Sequence, residues 1–280
     1  MFSRITSFFI LPSQLIGTRF KKLLPEYLRE DPNTKREALQ NRFNGEEFFI
    51  ETKDRAKLNG MLFKNESSQN PKEKKIWINF GGNGFAYEFF DHKQIERIKS
   101  LGFDVLTFNY RLVVKSKGKL SQKGLIEDGR AIIEYANKLG YKNIYIHAHS
   151  LGGSVATKAV ASLKDEKNEA YDKIKLIVDR TFSSIKAVLK TYNFPYIIKW
   201  IVIKIVNFTN WNIKVRKDWE KIDINKCLFH APKDEMIKKQ GALYRKVKDT
   251  TEKRQLVELN YRHFNNLTTY DMQQAISIVG

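Results

Sequence analysis

The chain predicts an α/β protein: a mostly parallel, eight-stranded sheet with helices on both faces and a small helical cap. Three observations carry this expectation. From Glu46 onward, apolar runs of strand length alternate with stretches of helical periodicity, the pattern of strands joined by crossover helices. A chain of 280 residues, 42% hydrophobic and 29% charged, has the length and composition of a folded domain that buries a core without staples. Finally, the apolar run beginning at Ile144 stops at Ser150 and passes directly into the helical pattern Val155, Ala156, Ala159, Val160.

In chain order, strands are expected near 46–52, 57–64, 75–80, 103–109, 143–148, 173–179, 225–230 and 254–259. Helical periodicity fills 86–99, 123–138, 151–163, 234–247 and 264–278. No helix separates the first two strands, so they are expected as an antiparallel edge hairpin. Residues 1–45 form a basic, amphipathic extension, and 46–280 form the domain. About 45 residues between Asp179 and Lys226 break the alternation, and a connection of this length usually carries function or its own structure. It is read as a helical cap, about 185–222, over the carboxyl edge of the sheet. The apolar face of its run 196–208, with Ile198, Trp200, Ile201, Ile205 and Phe208, has two readings: the wall of an acyl pocket, or packing onto the domain.

A strand that hands its chain to a helix through a tight turn leaves a serine hydroxyl projecting alone, with the free N–H groups of the new helix aimed at it. Small neighbours, Ala148 two residues before Ser150 and Gly152 two after, let strand, turn and helix approach. The usual pattern has glycine at both positions, so Ala148 is a departure. The plainer reading of these ten residues is a helix N-cap serine after a buried strand.

A serine nucleophile needs a base and an oriented acid. Of the histidines, His147 points into the sheet, His149 cannot reach back over its own turn, His230 closes a strand and His92 sits in a surface helix. His263 remains, in a loop beyond the last strand. Asp234 follows the apolar run 224–231 after a turn forced by Pro232, which puts its carboxylate in the crevice outside the carboxyl ends of parallel strands. Glu235 and Asp179 are the alternative acids. The loop Gly81-Gly82-Asn83-Gly84 follows a strand and offers the amide of Asn83 as one oxyanion donor, beside that of Leu151. No metal and no organic cofactor is required.

The formal net charge of +19 is spread from Lys21 to Lys253, the pattern of a lysine-rich surface drawn to anionic partners. No nucleic-acid-binding module accompanies the charge, so an anionic membrane surface ranks first and nucleic acid is not expected. Residues 1–22 place Phe8, Phe9, Ile10, Leu11, Leu15 and Ile16 between Arg4 and Lys22; the stretch is too short and broken to span a bilayer and lacks a secretory cleavage site. It either rests on a membrane or packs on its own domain. The single cysteine, Cys227, excludes an intramolecular disulfide and fits a reducing compartment. The expected location is cytoplasmic or peripheral to a membrane, with export into a host cell left open, and the Lys, Asn and Ile content fits an AT-rich bacterial genome.

Five segments in order, Asn109-Tyr110-Arg111 with Leu120 to Gly129, His149 to Gly153, Asp179 to Ser184, and Ala231 to Glu235, resemble the α/β-hydrolase-domain serine hydrolases, in particular the subgroup of membrane-associated lipid and protein-thioester hydrolases. The resemblance covers about residues 46–275. It implies the α/β-hydrolase fold, with Ser150 as nucleophile, Asp234 as acid and His263 as base, acting on a carboxylic ester or thioester of a lipid or an acylated protein. The chain departs from the family pattern at Gly81-Gly82, where His-Gly is common, at Ala148, and at Leu112-Val113-Val114, where a glycine-rich stretch is expected to form part of the pocket wall. The rival class is a hydrolase scaffold of weak or no activity that binds an anionic membrane or a protein partner. The oligomeric state is not legible.

Overall fold

Apolar, β-branched and aromatic residues dominate the central strands because a parallel strand covered on both faces has no solvent side for polar groups. A computed structural model of the chain describes Ile16, Thr18, Lys22 and residues 25–65 and 74–280. The amphipathic segment expected in residues 1–22 therefore lies almost wholly outside the described residues. After helix α1 (Pro32–Phe43) come β1 (Glu46–Glu51), β2 (Lys57–Phe63), β3 (Lys75–Phe80), α2 (His92–Ser100), β4 (Asp104–Phe108), α3 (Gln122–Lys138), β5 (Asn143–His149), α4 (Leu151–Asp165) and β6 (Ile174–Asp179). Then follow α5 (Ile185–Thr191), α6 (Tyr196–Phe208), α7 (Arg216–Lys221), β7 (Lys226–His230), α8 (Tyr244–Val247), β8 (Leu256–Glu258) and α9 (Thr269–Val279).

The strands form one sheet in the order β1-β2-β4-β3-β5-β6-β7-β8. As expected of the opening hairpin, β1 pairs antiparallel with β2, and β2 antiparallel with β4. From β4 to β8 every pairing is parallel. Two apolar clusters cover the two faces, one around Ile78, Ile146, Val155 and Leu176, the other around Trp77, Phe103, Ile177 and Phe229. This is the α/β-hydrolase fold. Helix α1 packs onto this domain: its buried Arg36 reaches Glu88 at 2.6 Å and the hydroxyl of Tyr87 at 2.8 Å.

Three helix expectations are corrected. Over 234–247 only Tyr244–Val247 is helical, because the Asp234 carboxylate accepts the amides of Met236 and Ile237 and turns the chain aside. The final helix starts at Thr269 rather than 264, where Thr268 and Asp271 form a capping box. The region 86–99 divides into a 3₁₀ turn at Tyr87–Phe89 and α2, with Asp91 capping the latter through the amide of Lys93. Leu112 and Val114 lie outside the pocket wall and take φ of 67° and 48° in the turn beyond β4. A β-branched residue pays a steric penalty in that region, so the turn is held by its surroundings.

Arg111 is what holds it. Fully buried, it pairs with Asp128 of α3 at 2.8 Å and with Asp54 at 2.7 Å, and Asp128 also accepts the Arg111 amide at 3.0 Å. The substitution Asp128→Ala is expected to cost about 3 kcal/mol, since a buried guanidinium loses its enclosed partner, and a thermal melt or denaturant titration measures the loss.

Candidate active site

Parallel strands deliver their carboxyl ends to one edge of a sheet, and that edge collects the residues singled out in the sequence. Ser150 stands between β5 and α4 at φ 54°, ψ −117°, a backbone that non-glycine residues rarely hold. Its amide donates to the Asp179 carbonyl at 2.9 Å, and its carbonyl accepts from the Thr181 hydroxyl at 2.6 Å. The turn also needs close approach. A Cβ on Gly152 would stand 2.2 Å from the Phe80 carbonyl oxygen, and one on Gly82 would stand 3.2 Å from Ser150 Cβ. Ala148 is fully buried, and its methyl is accommodated.

His263 is buried in the loop between β8 and α9. Its Nδ1 lies 2.8 Å from Asp234 Oδ2 and its Nε2 lies 3.0 Å from Ser150 Oγ. Burial alone would raise the Asp234 carboxyl, but hydrogen bonding to His263 and the amides of Ile237 and Met236 outweighs it and holds the group below the ordinary carboxylate value. An ionised carboxylate only accepts, so Nδ1 carries the proton and Nε2 is left to accept from the serine hydroxyl. Glu235, an alternative acid in the sequence, meets His263 differently: its carboxylate accepts the backbone amide at 3.2 Å and leaves the ring to Asp234.

Asp179, the other alternative, does not bond the His263 ring. It is fully buried against Arg180, at 2.7 Å, and lies 3.4 Å from His147 Nε2. Burial would raise this carboxyl too, but the adjacent guanidinium holds it far below the usual range. Arg180 in turn donates to the carbonyls of Arg262 at 2.6 Å and Asn265 at 2.8 Å, on either side of His263. One segment, Asp179 to Thr181, thus grips both the serine turn and the histidine loop. The sequence held a signal for this role, a charged pair at the end of an apolar strand, but not its target.

His149 also has a partner that its position in the chain concealed. Its Nε2 donates to the His263 carbonyl at 3.0 Å, and the two rings lie 4.7 Å apart. Gly81, Gly82, Asn83, Gly84, His149, Ser150, Leu151 and His263 all line one cleft of about 870 Å³. Phe182, Ile185, Val188, Leu189, Met236 and Ile237 give it an apolar wall. The wall comes from α5 and neighbouring loops. Of the two readings of the run 196–208, the acyl-pocket wall fails, because α6 does not line the cleft. The helix does pack onto the domain, but through Val202 and Val206 rather than through the expected face, of which Ile198, Trp200, Ile201 and Phe208 are exposed.

A family model described as "Chlamydia CHLPS protein (DUF818)" matches residues 68–263. The chain belongs to this family. Among curated proteins it resembles the lysophosphatidylserine lipase ABHD12 of Danio rerio, 26% identical over 52% of this chain and 40% of the relative. It also resembles protein bem46 of Schizosaccharomyces pombe, 28% identical over 63% of this chain and 56% of the relative. The chain thus spans about half the length of these relatives. Among solved structures, an α/β hydrolase from Vibrio vulnificus superposes with a TM-score of 0.71 at 18% identity, covering 98% of this chain and 92% of the other. An esterase from Pyrococcus furiosus superposes with a TM-score of 0.61 at 19% identity, covering 86% and 90%. Among the described residues, no helix is long and apolar enough to cross a membrane.

Two outcomes follow from the packing. Arg180→Ala strands a buried carboxylate and frees two carbonyls, so it is expected to cost about 3–5 kcal/mol and to speed hydrogen exchange across 262–265, read by mass spectrometry. Burial pushes the pKa of His149 down from 6.5 to about 3. The unfolded chain gains this proton as pH falls through about 6.5 and the folded chain only near 3, so the residue's contribution is complete above that window and drains away within it. His149→Gln is expected to flatten the fall in melting temperature between neutral pH and about pH 4.

Proposed function

We propose that the chain is a serine hydrolase that cleaves a carboxylic ester or thioester through an acyl-enzyme. The observation that supports this reading is the hydrogen-bonded series Ser150, His263, Asp234 opening on an apolar cleft. In the proposed reaction His263 Nε2 takes the hydroxyl proton as Ser150 Oγ attacks the acyl carbon. Asp234 holds the imidazole in the required tautomer and offsets the charge of the imidazolium. The amides of Leu151 and Asn83 receive the oxyanion, each such donor being worth about 3 kcal/mol in the transition state. The imidazolium then protonates the leaving alcohol or thiol. A water, deprotonated by the same ring, attacks the acyl-enzyme and releases the acid.

The cleft favours the acyl portion of the substrate. Phe182, Val188, Leu189 and Ile237 offer an apolar wall that desolvates a hydrocarbon chain, each buried CH₂ contributing about 0.8 kcal/mol. Esters of lipids and acylated proteins therefore rank above polar esters. Relatives named lysophosphatidylserine lipases agree with this preference.

The test is labelling and turnover. Wild-type protein is expected to react with a fluorophosphonate probe and to hydrolyse p-nitrophenyl esters with a rate that rises with acyl length. Ser150→Ala is expected to lose the label and to lower kcat by about 10⁴- to 10⁶-fold at unchanged melting temperature. Turnover by that variant at the wild-type rate would move the nucleophile elsewhere.

A further inference from the structure

Helix α6 turns its apolar side to the solvent. At 3.6 residues per turn, Ile197, Trp200, Ile201, Lys204 and Phe208 share one stripe, and Val202 and Val206 share the opposite one. Val206 is buried and Val202 packs against the core, so the stripe faces outward. Ile197 is 70% exposed, Trp200 53%, Ile201 44% and Phe208 83%. Exposed Phe194 and Tyr196 extend the surface at the start of the helix. A run of large apolar side chains on one exposed helix marks an interaction surface.

Charge selects the occupant. Between Asp179 and Asp218 the sequence has no acidic residue, while Lys186, Lys190, Lys199, Lys204, Lys214, Arg216 and Lys217 all fall there. Lys204 lies within the stripe, its ammonium 5.0 Å from the Trp200 ring centre. A second copy docked face to face would bring like charges together, and lysine is depleted from the cores of protein interfaces. A lipid surface suits both features: apolar side chains enter the acyl boundary while lysine stems carry their ammonium groups out to anionic headgroups.

We infer that α6 docks the chain on an anionic lipid bilayer, with its outward stripe inserted at the acyl boundary and the flanking lysines at the headgroups. The docked face adjoins the cleft. Helix α6 packs on α5, whose Ile185, Val188 and Leu189 line the cleft, and the cleft residue Tyr192 contacts Phe194 at a ring separation of 5.9 Å. Exposed Phe264 at the cleft rim adds a further apolar group. This surface does not rest on the chemistry proposed at Ser150.

Tryptophan fluorescence tests it on the full chain. Trp77, Trp211 and Trp219 are buried, so Trp200 is the tryptophan that a docked surface would cover. Vesicles of phosphatidylcholine with phosphatidylglycerol are expected to shift emission to the blue and to protect it from acrylamide. Vesicles of phosphatidylcholine alone are expected to do so at least tenfold more weakly, and added salt is expected to reverse the binding. The double variant Ile197→Glu, Ile201→Glu is expected to bind at least tenfold more weakly with an unchanged circular dichroism spectrum. Ser150→Ala is expected to bind as the wild type does, so a failure of hydrolysis and a failure of docking are read separately. Unchanged Trp200 emission on the mixed vesicles would overturn the inference, as would equal binding by the double variant. So would concentration-dependent dimerisation that shields Trp200 without lipid.

Discussion

The turn at Ser150 is the constraint on which the site depends. A non-glycine residue at φ 54°, ψ −117° relaxes unless its neighbours forbid it, and here they act from three sides. The Phe80 and Gly81 carbonyls press against Gly152, Thr181 holds the Ser150 carbonyl, and the Asp179 carbonyl takes the Ser150 amide. Each contact comes from a strand end adjacent to β5 in the sheet. Strand order, not local propensity, therefore supports the geometry of the serine.

The same edge supports the histidine loop. No regular element encloses residues 259–268, which makes the position of the His263 ring a question of anchoring. Asp234 and Glu235 hold the ring and the amide of His263, Arg180 holds the carbonyls on either side, and His149 holds the carbonyl of His263 itself. Arg180 is buried with its charge balanced by Asp179, so its donors are aimed in a low-dielectric setting where each hydrogen bond is strong. The serine turn and the histidine loop thus share one support.

The helical connection after β6 divides its work between two faces. Helix α5 gives side chains to the cleft, whereas α6 gives little to the interior. Its composition invites the opposite reading, because an apolar run is ordinarily assigned to a core. Periodicity ranks the sides of a helix by polarity, and in α6 both sides are apolar. The sequence of the helix therefore carries no information about which side the domain covers.

Much of the fold was legible in the order of residues. Alternating strand and helix signals give a parallel sheet by chain geometry alone, and the run Ile144 to Gly153 announces its turn through small residues next to serine. Asp234 and His263 were legible through position, each just beyond a strand end. Tertiary structure alone decided what lies across gaps in sequence. It selected Asp234 over Glu235 and Asp179 as the ring's partner, gave Arg180 and His149 their contacts with the histidine loop, and turned the stripe of α6 outward. The physical reason is the same in each case: hydrogen bonds and burial depend on where separate segments meet, and those meetings are set by packing of the whole sheet edge rather than by any one segment.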